Sequence, residues 1–193
     1  MFRSNRVLLP AIAAILVLAA APASAHPGHD MSGLAAGLAH PFAALDHMLA
    51  MLSVGLLAGL KGGRLSWALP ALFVTCVIAG AMTGLGLPGF DLAEIAVALS
   101  VLVFGVALIL PNAVPVGLAV PLIAAFALVH GFAHGTEAPD EGALAFIAGM
   151  AASTLTLHMM GVGAVRIATL RAYVRPAGGL IALAGLIMVA GIV

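Results

Sequence analysis

Runs of about 20 apolar residues follow one another along most of the sequence, separated only by short polar connections. Hydrophobic residues make up 64% of the chain and charged residues 7%, against roughly 45–50% and 25% in soluble domains. A helix of this length crosses the hydrocarbon core of a bilayer and satisfies its own backbone hydrogen bonds there. The sequence therefore predicts an all-α, polytopic transmembrane helix bundle that contacts the lipid bilayer.

Six membrane spans are predicted, and they occupy residues 34–60, 65–87, 92–110, 114–133, 142–163 and 176–193. They form one membrane domain over residues 34–193. Its five basic residues fall in only two connections, and they are Lys61, Arg64, Arg166, Arg171 and Arg175. Because cytoplasmic connections are rich in lysine and arginine, both are predicted to be cytoplasmic. Both follow odd-numbered spans, so both ends of the mature chain are predicted to be external.

Residues 1–25 have the organisation of a cleavable secretory signal peptide. A basic segment containing Arg3 and Arg6 precedes an apolar segment, and small residues follow as far as Ala25. The signal requires the mature N-terminus to be external, in agreement with the charge pattern. We therefore expect the protein in the bacterial inner membrane.

Cleavage after Ala25 would leave a short external N-terminus, residues 26–33, that contains His26, His29 and Asp30. These side chains are common ligands of transition metals. The segment is either a flexible terminus or a capture site, in which the freed α-amine and the imidazole of His26 bind a cation.

The first span carries three ionisable side chains, His40, Asp46 and His47, in an apolar setting. Such groups are costly in a membrane and by default mark the path of an ion or proton. On a straight helix the two histidines would share a face but lie about 10.5 Å apart along the axis, too far to hold one ion together. Pro41 predicts a kink, as in the broken helices of transporters. The alternative is that these side chains only bond neighbouring helices together.

A second pair of histidines, His130 and His134, closes the fourth span. Side chains four residues apart on a helix lie on one face about 6 Å apart, so both imidazoles could ligate one ion if the helix continues this far. The alternative is two interfacial histidines in water. His158, in the fifth span, is either a further ligand on the inner side or a hydrogen-bonding core residue.

Glu94 and Glu137 lie near the predicted external side of the membrane. Carboxylates there would give the outer mouth a negative potential that concentrates cations, and each is a secondary candidate ligand. For Glu94 there is also a structural interpretation, because Asp91 and Glu94 have the spacing of a helix N-cap and its third residue.

Imidazoles with carboxylates and no thiolate suit divalent ions such as nickel, cobalt, copper or zinc. Cys76 is the only cysteine, so a thiolate cage within one chain is excluded. No G-x-x-x-x-G-K-[ST] phosphate loop occurs, so ATP hydrolysis on this chain is not expected. No prosthetic group is implied, and the charge balance does not suggest a nucleic-acid partner.

Two marked segments carry a resemblance to a known family. The first consists of His40-Pro41-Phe42, Asp46-His47, Ala50-Met51 and Val54-Gly55-Leu56. The second consists of His130-Gly131-Phe132-Ala133-His134-Gly135, with Glu137 and Pro139. Together they resemble the signatures of the HupE/UreJ family of membrane proteins. The resemblance implies a permease for nickel, or in some members cobalt, that supplies hydrogenase or urease maturation proteins.

Two other functions stay open at this point. A membrane metallohydrolase would use a histidine-bound metal to activate water, but there is no H-E-x-x-H motif and no evident general base beside the histidines. A non-transporting assembly factor for a nickel enzyme would use the histidines only as structural bonds. We expect a non-enzymatic permease, and the sequence gives no prediction of its oligomeric state.

The predicted topology can be tested with a cysteine at Thr169, in a chain whose Cys76 is replaced by alanine. We expect an impermeant thiol reagent to label this cysteine only after the membrane is opened, because Thr169 lies in a predicted cytoplasmic connection. Labelling from outside in intact cells would contradict the topology.

Overall fold

A computed structural model describes residues 33–89 and 91–191, and these residues form helices joined by short connections, without strands. The predicted signal peptide, together with His26, His29 and Asp30, lies outside the described residues. The helices are α1 (Leu34–Ala43), α2 (Leu45–Lys61), α3 (Leu65–Gly84), α4 (Asp91–Ile109), α5 (Val116–Thr136), α6 (Ala143–Arg166), α7 (Ala168–Arg171) and α8 (Val174–Val189).

Four helices, α3 to α6, are long and apolar enough to cross a membrane. Helices α1 and α2 pass the same test as a pair, but they are bent by 86° and form either one broken span or a re-entrant loop. Helix α8 is apolar and has 16 residues. At 1.5 Å per residue that is about 24 Å, short of the usual hydrocarbon thickness. The described chain is thus a multi-pass helical membrane protein with four or five spans by length, and six spans stay a prediction.

The first predicted span is broken rather than merely kinked. Pro41 lies inside α1, and the chain turns three residues later at Ala44, which has extended backbone angles (φ −113°, ψ 123°). Pro41 has no N–H for the carbonyl of Gly37, which weakens the last turn of α1. Asp46 then lies in the first turn of α2, where its carboxylate accepts the N–H of His47 at 2.7 Å and favours a new helix start.

Glycine allows three sets of helices to pack backbone against backbone: α1 and α2 on α6, α3 on α5, and α4 on α8. A Cβ atom at Gly55 would lie 2.2 Å from the carbonyl oxygen of His158, and one at Gly131 would lie 2.0 Å from that of Val77. No side chain fits these gaps, so the contacts require glycine. The site histidines therefore sit on helices whose spacing the glycines set.

The pairs also fix the direction of each helix. Gly55 and Gly59 pack on His158 and Val165, so α2 and α6 run parallel. Lys61, at the end of α2, donates hydrogen bonds to the carbonyl oxygens of Pro111 (2.7 Å) and Val114 (2.5 Å), between α4 and α5. We call this the basic end of the bundle. The opposite end, where α2, α4 and α6 begin and α3 and α5 finish, is the histidine end.

Replacing Gly131 with alanine tests the close packing. The added methyl group would meet the backbone of Val77 in α3, and overpacking of this kind costs about 1–3 kcal/mol. Gly163→Ala is the matched control, because nothing lies within 4 Å of its new Cβ. We expect thermal unfolding of the purified protein to start at lower temperature for Gly131→Ala only. Equal melting temperatures for the two variants would contradict the packing.

Candidate metal site

Side chains from α1 and from the end of α5 meet at the histidine end. His40 Nε2 lies 2.8 Å from His134 Nδ1 and 3.0 Å from the Oε2 atom of Glu137. His134 Nδ1 lies 3.7 Å from the same carboxylate oxygen. All three ligand atoms are within 4.8 Å of one another, and among the described residues no other group of three or more histidine, cysteine, aspartate or glutamate side chains is this compact. We call it the mouth group.

The break at Ala44 and the persistence of α5 together create the mouth group. With α1 and α2 bent by 86°, the ring centroids of His40 and His47 lie 6.3 Å apart, closer than a straight helix would allow. Helix α5 continues through His134 to Thr136, as ligation from its last turn requires. From the sequence Glu137 is only a secondary candidate ligand, although it follows His134 by three residues and therefore shares its helical face.

Glu137 is ionised at the mouth. It follows the last residue of α5, and its side chain is 54% exposed, against 25% for His40. The imidazoles of His134 and His40, 3.7 and 3.0 Å away, hold the pKa of this carboxyl well below its usual range. A negative charge therefore stands beside two imidazoles where the bundle opens to solvent.

His47 connects the mouth group to a deeper layer. Its ring centroid lies 4.3 Å from that of His134 and 5.2 Å from that of His130. Its Nδ1 atom donates a 2.6 Å hydrogen bond to Asp46, which fixes the ring and leaves Nε2 as the basic nitrogen. This arrangement of carboxylate and imidazole is frequent around metal ions in proteins.

His130 and His158 are completely buried. Their Nδ1 atoms donate to carbonyl oxygens one turn earlier, those of Phe126 (2.9 Å) and Thr154 (2.5 Å). Both rings pack on Phe73, with centroid distances of 5.7 and 4.8 Å. The interpretation of His130 and His134 as interfacial histidines in water is wrong, because both are 0% exposed. Phe73 was not singled out from the sequence, since one phenylalanine in an apolar run carries no signal.

Four buried imidazole nitrogens have no hydrogen-bond partner among the described residues, and they are the Nε2 atoms of His47, His130, His134 and His158. A buried polar atom without a partner is costly. In His130 and His158 the bond to a carbonyl oxygen requires the proton on Nδ1, so Nε2 carries a lone pair. The chain thus maintains, at a cost in stability, at least three buried nitrogens that are able to bind a cation, the Nε2 atoms of His47, His130 and His158.

Glu94 is not brought into the histidine cluster. It lies in the first turn of α4, is exposed, and lines a cleft of about 430 Å³ together with Asp46, Leu45 and Met188. Helix α4 begins at Asp91 itself, and residue 90 lies outside the described part of the chain. Asp46 therefore faces His47 on one side and a cleft shared with a second carboxylate on the other.

The fold and the cluster together define a multi-pass helical membrane protein. Its buried imidazoles and partly exposed carboxylates are suited to a divalent transition metal. The chain belongs to the HupE/UreJ family, whose model, described as HupE / UreJ protein, matches residues 14–188. It is 37% identical over 176 residues to Protein HupE of Rhizobium leguminosarum bv. viciae, which covers 88% of this chain and 91% of that relative. No solved structure matches it significantly.

Nickel binding by the purified protein tests the mouth group. We expect Glu137→Gln to weaken binding roughly 10- to 100-fold, because the amide removes the charge and keeps the shape. Glu141→Gln is the matched control, since Glu141 is an exposed carboxylate near the same end but outside the group. Titration calorimetry with Ni²⁺ would measure both. Equal affinities in the two variants would contradict a role for Glu137 in binding.

Proposed function

We propose that the protein is a permease for a divalent transition-metal ion, with nickel as the expected cargo and cobalt as the alternative. The observation that carries this proposal is the row of imidazoles from His40, whose side chain is 25% exposed, to the fully buried His158. Four of them present unpartnered Nε2 atoms. Buried open ligands in several positions suit an ion that must bind, move and leave better than an ion held in one tight cage.

In the proposed path the ion first meets Glu137 and His40 at the mouth. The ionised carboxylate attracts the hydrated cation, and the two imidazole nitrogens replace part of its water shell. His134 belongs to both layers, because its Nδ1 atom faces the mouth group and its ring lies 4.3 Å from His47. It is therefore the natural point of transfer inward.

The deeper steps are Asp46 with His47, then His130, then His158. The break at Ala44 sets Asp46 and His47 in the first turn of α2. His130 lies one turn before His134 on a helix that finishes at the histidine end. His158 lies 15 residues after the start of α6 at Ala143, roughly 22 Å along that helix. This depth favours His158 as an inner station.

The chemistry of the ligands does not by itself choose the metal. Imidazole and carboxylate together suit nickel, cobalt, copper and zinc alike. The choice of nickel, and of delivery to hydrogenase or urease maturation proteins, rests on the resemblance to the HupE/UreJ permeases and on membership of that family.

The membrane potential would be a sufficient energy source. A divalent ion moving inward gains about 2 × 2.3 kcal/mol per 100 mV, which corresponds to roughly a thousandfold accumulation. The proposal therefore needs no enzymatic activity. The two other functions differ from it in their readout, since a metallohydrolase turns over a substrate and an assembly factor moves no ion.

Cellular uptake of radioactive nickel tests the path. We expect Asp46→Asn and His47→Ala each to reduce uptake at least tenfold at equal protein level, because charge at Asp46 orients His47 and stabilises the cation. His158→Ala should slow uptake without abolishing it. Asp140→Asn, an exposed carboxylate near the same end, should leave uptake unchanged. Normal uptake by both Asp46→Asn and His47→Ala would return these residues to a structural role.

A further inference from the structure

The basic end of the bundle carries positive charge that no acidic side chain balances. The basic residues there are Lys61, Arg64, Arg166, Arg171 and Arg175. The acidic residues of the described chain all belong to the histidine end, and they are Asp46, Asp91, Glu94, Glu137, Asp140 and Glu141. No ion pair among the described residues involves a lysine or an arginine. These cations are therefore open to an anion from outside the described chain.

Three of these cations converge on one cleft. Lys61, Arg171 and Arg175 line a space of about 410 Å³ together with Asn112 and Pro111. Lys61 is held in place by its bonds to the carbonyl oxygens of Pro111 and Val114. An ammonium group has three N–H donors, so one stays available after these two bonds. The two guanidinium groups add planar donor sets that match phosphate oxygens.

The start of α8 contributes a further positive element to the same cleft. Val174, its first residue, lines the cleft. The helix has no side-chain hydrogen bond at its N-cap and no acidic residue in its first turn. Because the N-terminus of a helix carries partial positive charge, it favours an anion at this position.

We propose that this cleft binds the phosphate of an anionic phospholipid headgroup. The cleft lies between the end of α2, the connection from α4 to α5 and the start of α8. The predicted topology puts this end of the bundle at the cytoplasmic membrane surface. Ile167 and Leu170, in the adjoining connection, are 53% and 36% exposed. They offer apolar surface for the acyl chains next to the seat of the headgroup. A free phosphate ion has no apolar group to cover that surface, whereas a phospholipid can place its phosphate in the cleft and its acyl chains on the apolar surface.

The proposal is independent of ion transport, because it concerns a different end of the molecule and has its own readout. It also differs from a general attraction of basic residues to an anionic membrane surface. General attraction would depend only on the number of charges at the basic end. Lipid binding in a defined cleft depends instead on which of the charged residues are removed.

Native mass spectrometry of the purified full chain separates these cases. The probes are phosphatidylglycerol, zwitterionic phosphatidylcholine and inorganic phosphate. The test variant is Arg171→Gln with Arg175→Gln, and the matched control is Arg64→Gln with Arg166→Gln, which removes two charges from the same end but outside the cleft. We expect the test pair to retain phosphatidylglycerol roughly 30-fold more weakly, and the control pair to retain it like the wild type.

A charge-preserving pair, Arg171→Lys with Arg175→Lys, guards against misfolding of the test variant and should keep most of the phosphatidylglycerol. Equal weakening in the test and control pairs would overturn the cleft in favour of general attraction. Equal retention of phosphatidylcholine would overturn the need for an anionic lipid. Displacement of phosphatidylglycerol by millimolar inorganic phosphate would overturn the lipid as occupant and assign the cleft to a free anion.

Discussion

The turn of the chain at Ala44 is the constraint on which the candidate site depends. A straight helix would separate His40 from His47 by about 10.5 Å along its axis, whereas the 86° bend brings His40 Nε2 to 2.8 Å from His134. The bend is held from outside: the hydroxyl of Ser153 on α6 donates to the carbonyl oxygen of Leu38 at 2.6 Å. Gly37 lets α1 lie directly on the backbone of Phe146. Glycine packing thus positions the short helix, and the short helix positions the ligand.

The two ends of the bundle have opposite chemistry, and the proposed functions follow from that polarity. In the proposals, carboxylates and imidazoles at the histidine end attract a metal ion and partly dehydrate it. The lysine and arginine side chains at the basic end, which have no acidic partner among the described residues, bind an anion. Between the two ends, the buried Nε2 atoms have no hydrogen-bond partner among the described residues, which lowers the stability of the fold. A purely structural core would avoid this cost. Close helix pairing through glycine offsets such costs, because packing and backbone contact drive helix association in lipid.

Local features of this site could be predicted from the sequence, but its long-range contacts could not. Hydropathy predicted helical membrane spans, and the ionisable residues of the apolar runs identified His40, Asp46, His47, His130 and His134 as candidates. Helical periodicity describes contacts within one helix only, so the meeting of His40 with Glu137 could not be predicted. The position and angle of the break could not be predicted for a related reason. Pro41 weakens a helix, but tertiary packing decides where the chain turns.

The central claim is that this chain alone conducts a divalent metal ion along its imidazoles. The most direct measurement is nickel accumulation by proteoliposomes that contain only the purified protein and an internal chelating dye, with an imposed inside-negative potential. The account predicts accumulation that rises with the potential and is absent from protein-free vesicles. A folded protein that binds nickel but gives no flux at any potential would contradict the account and favour a non-transporting role.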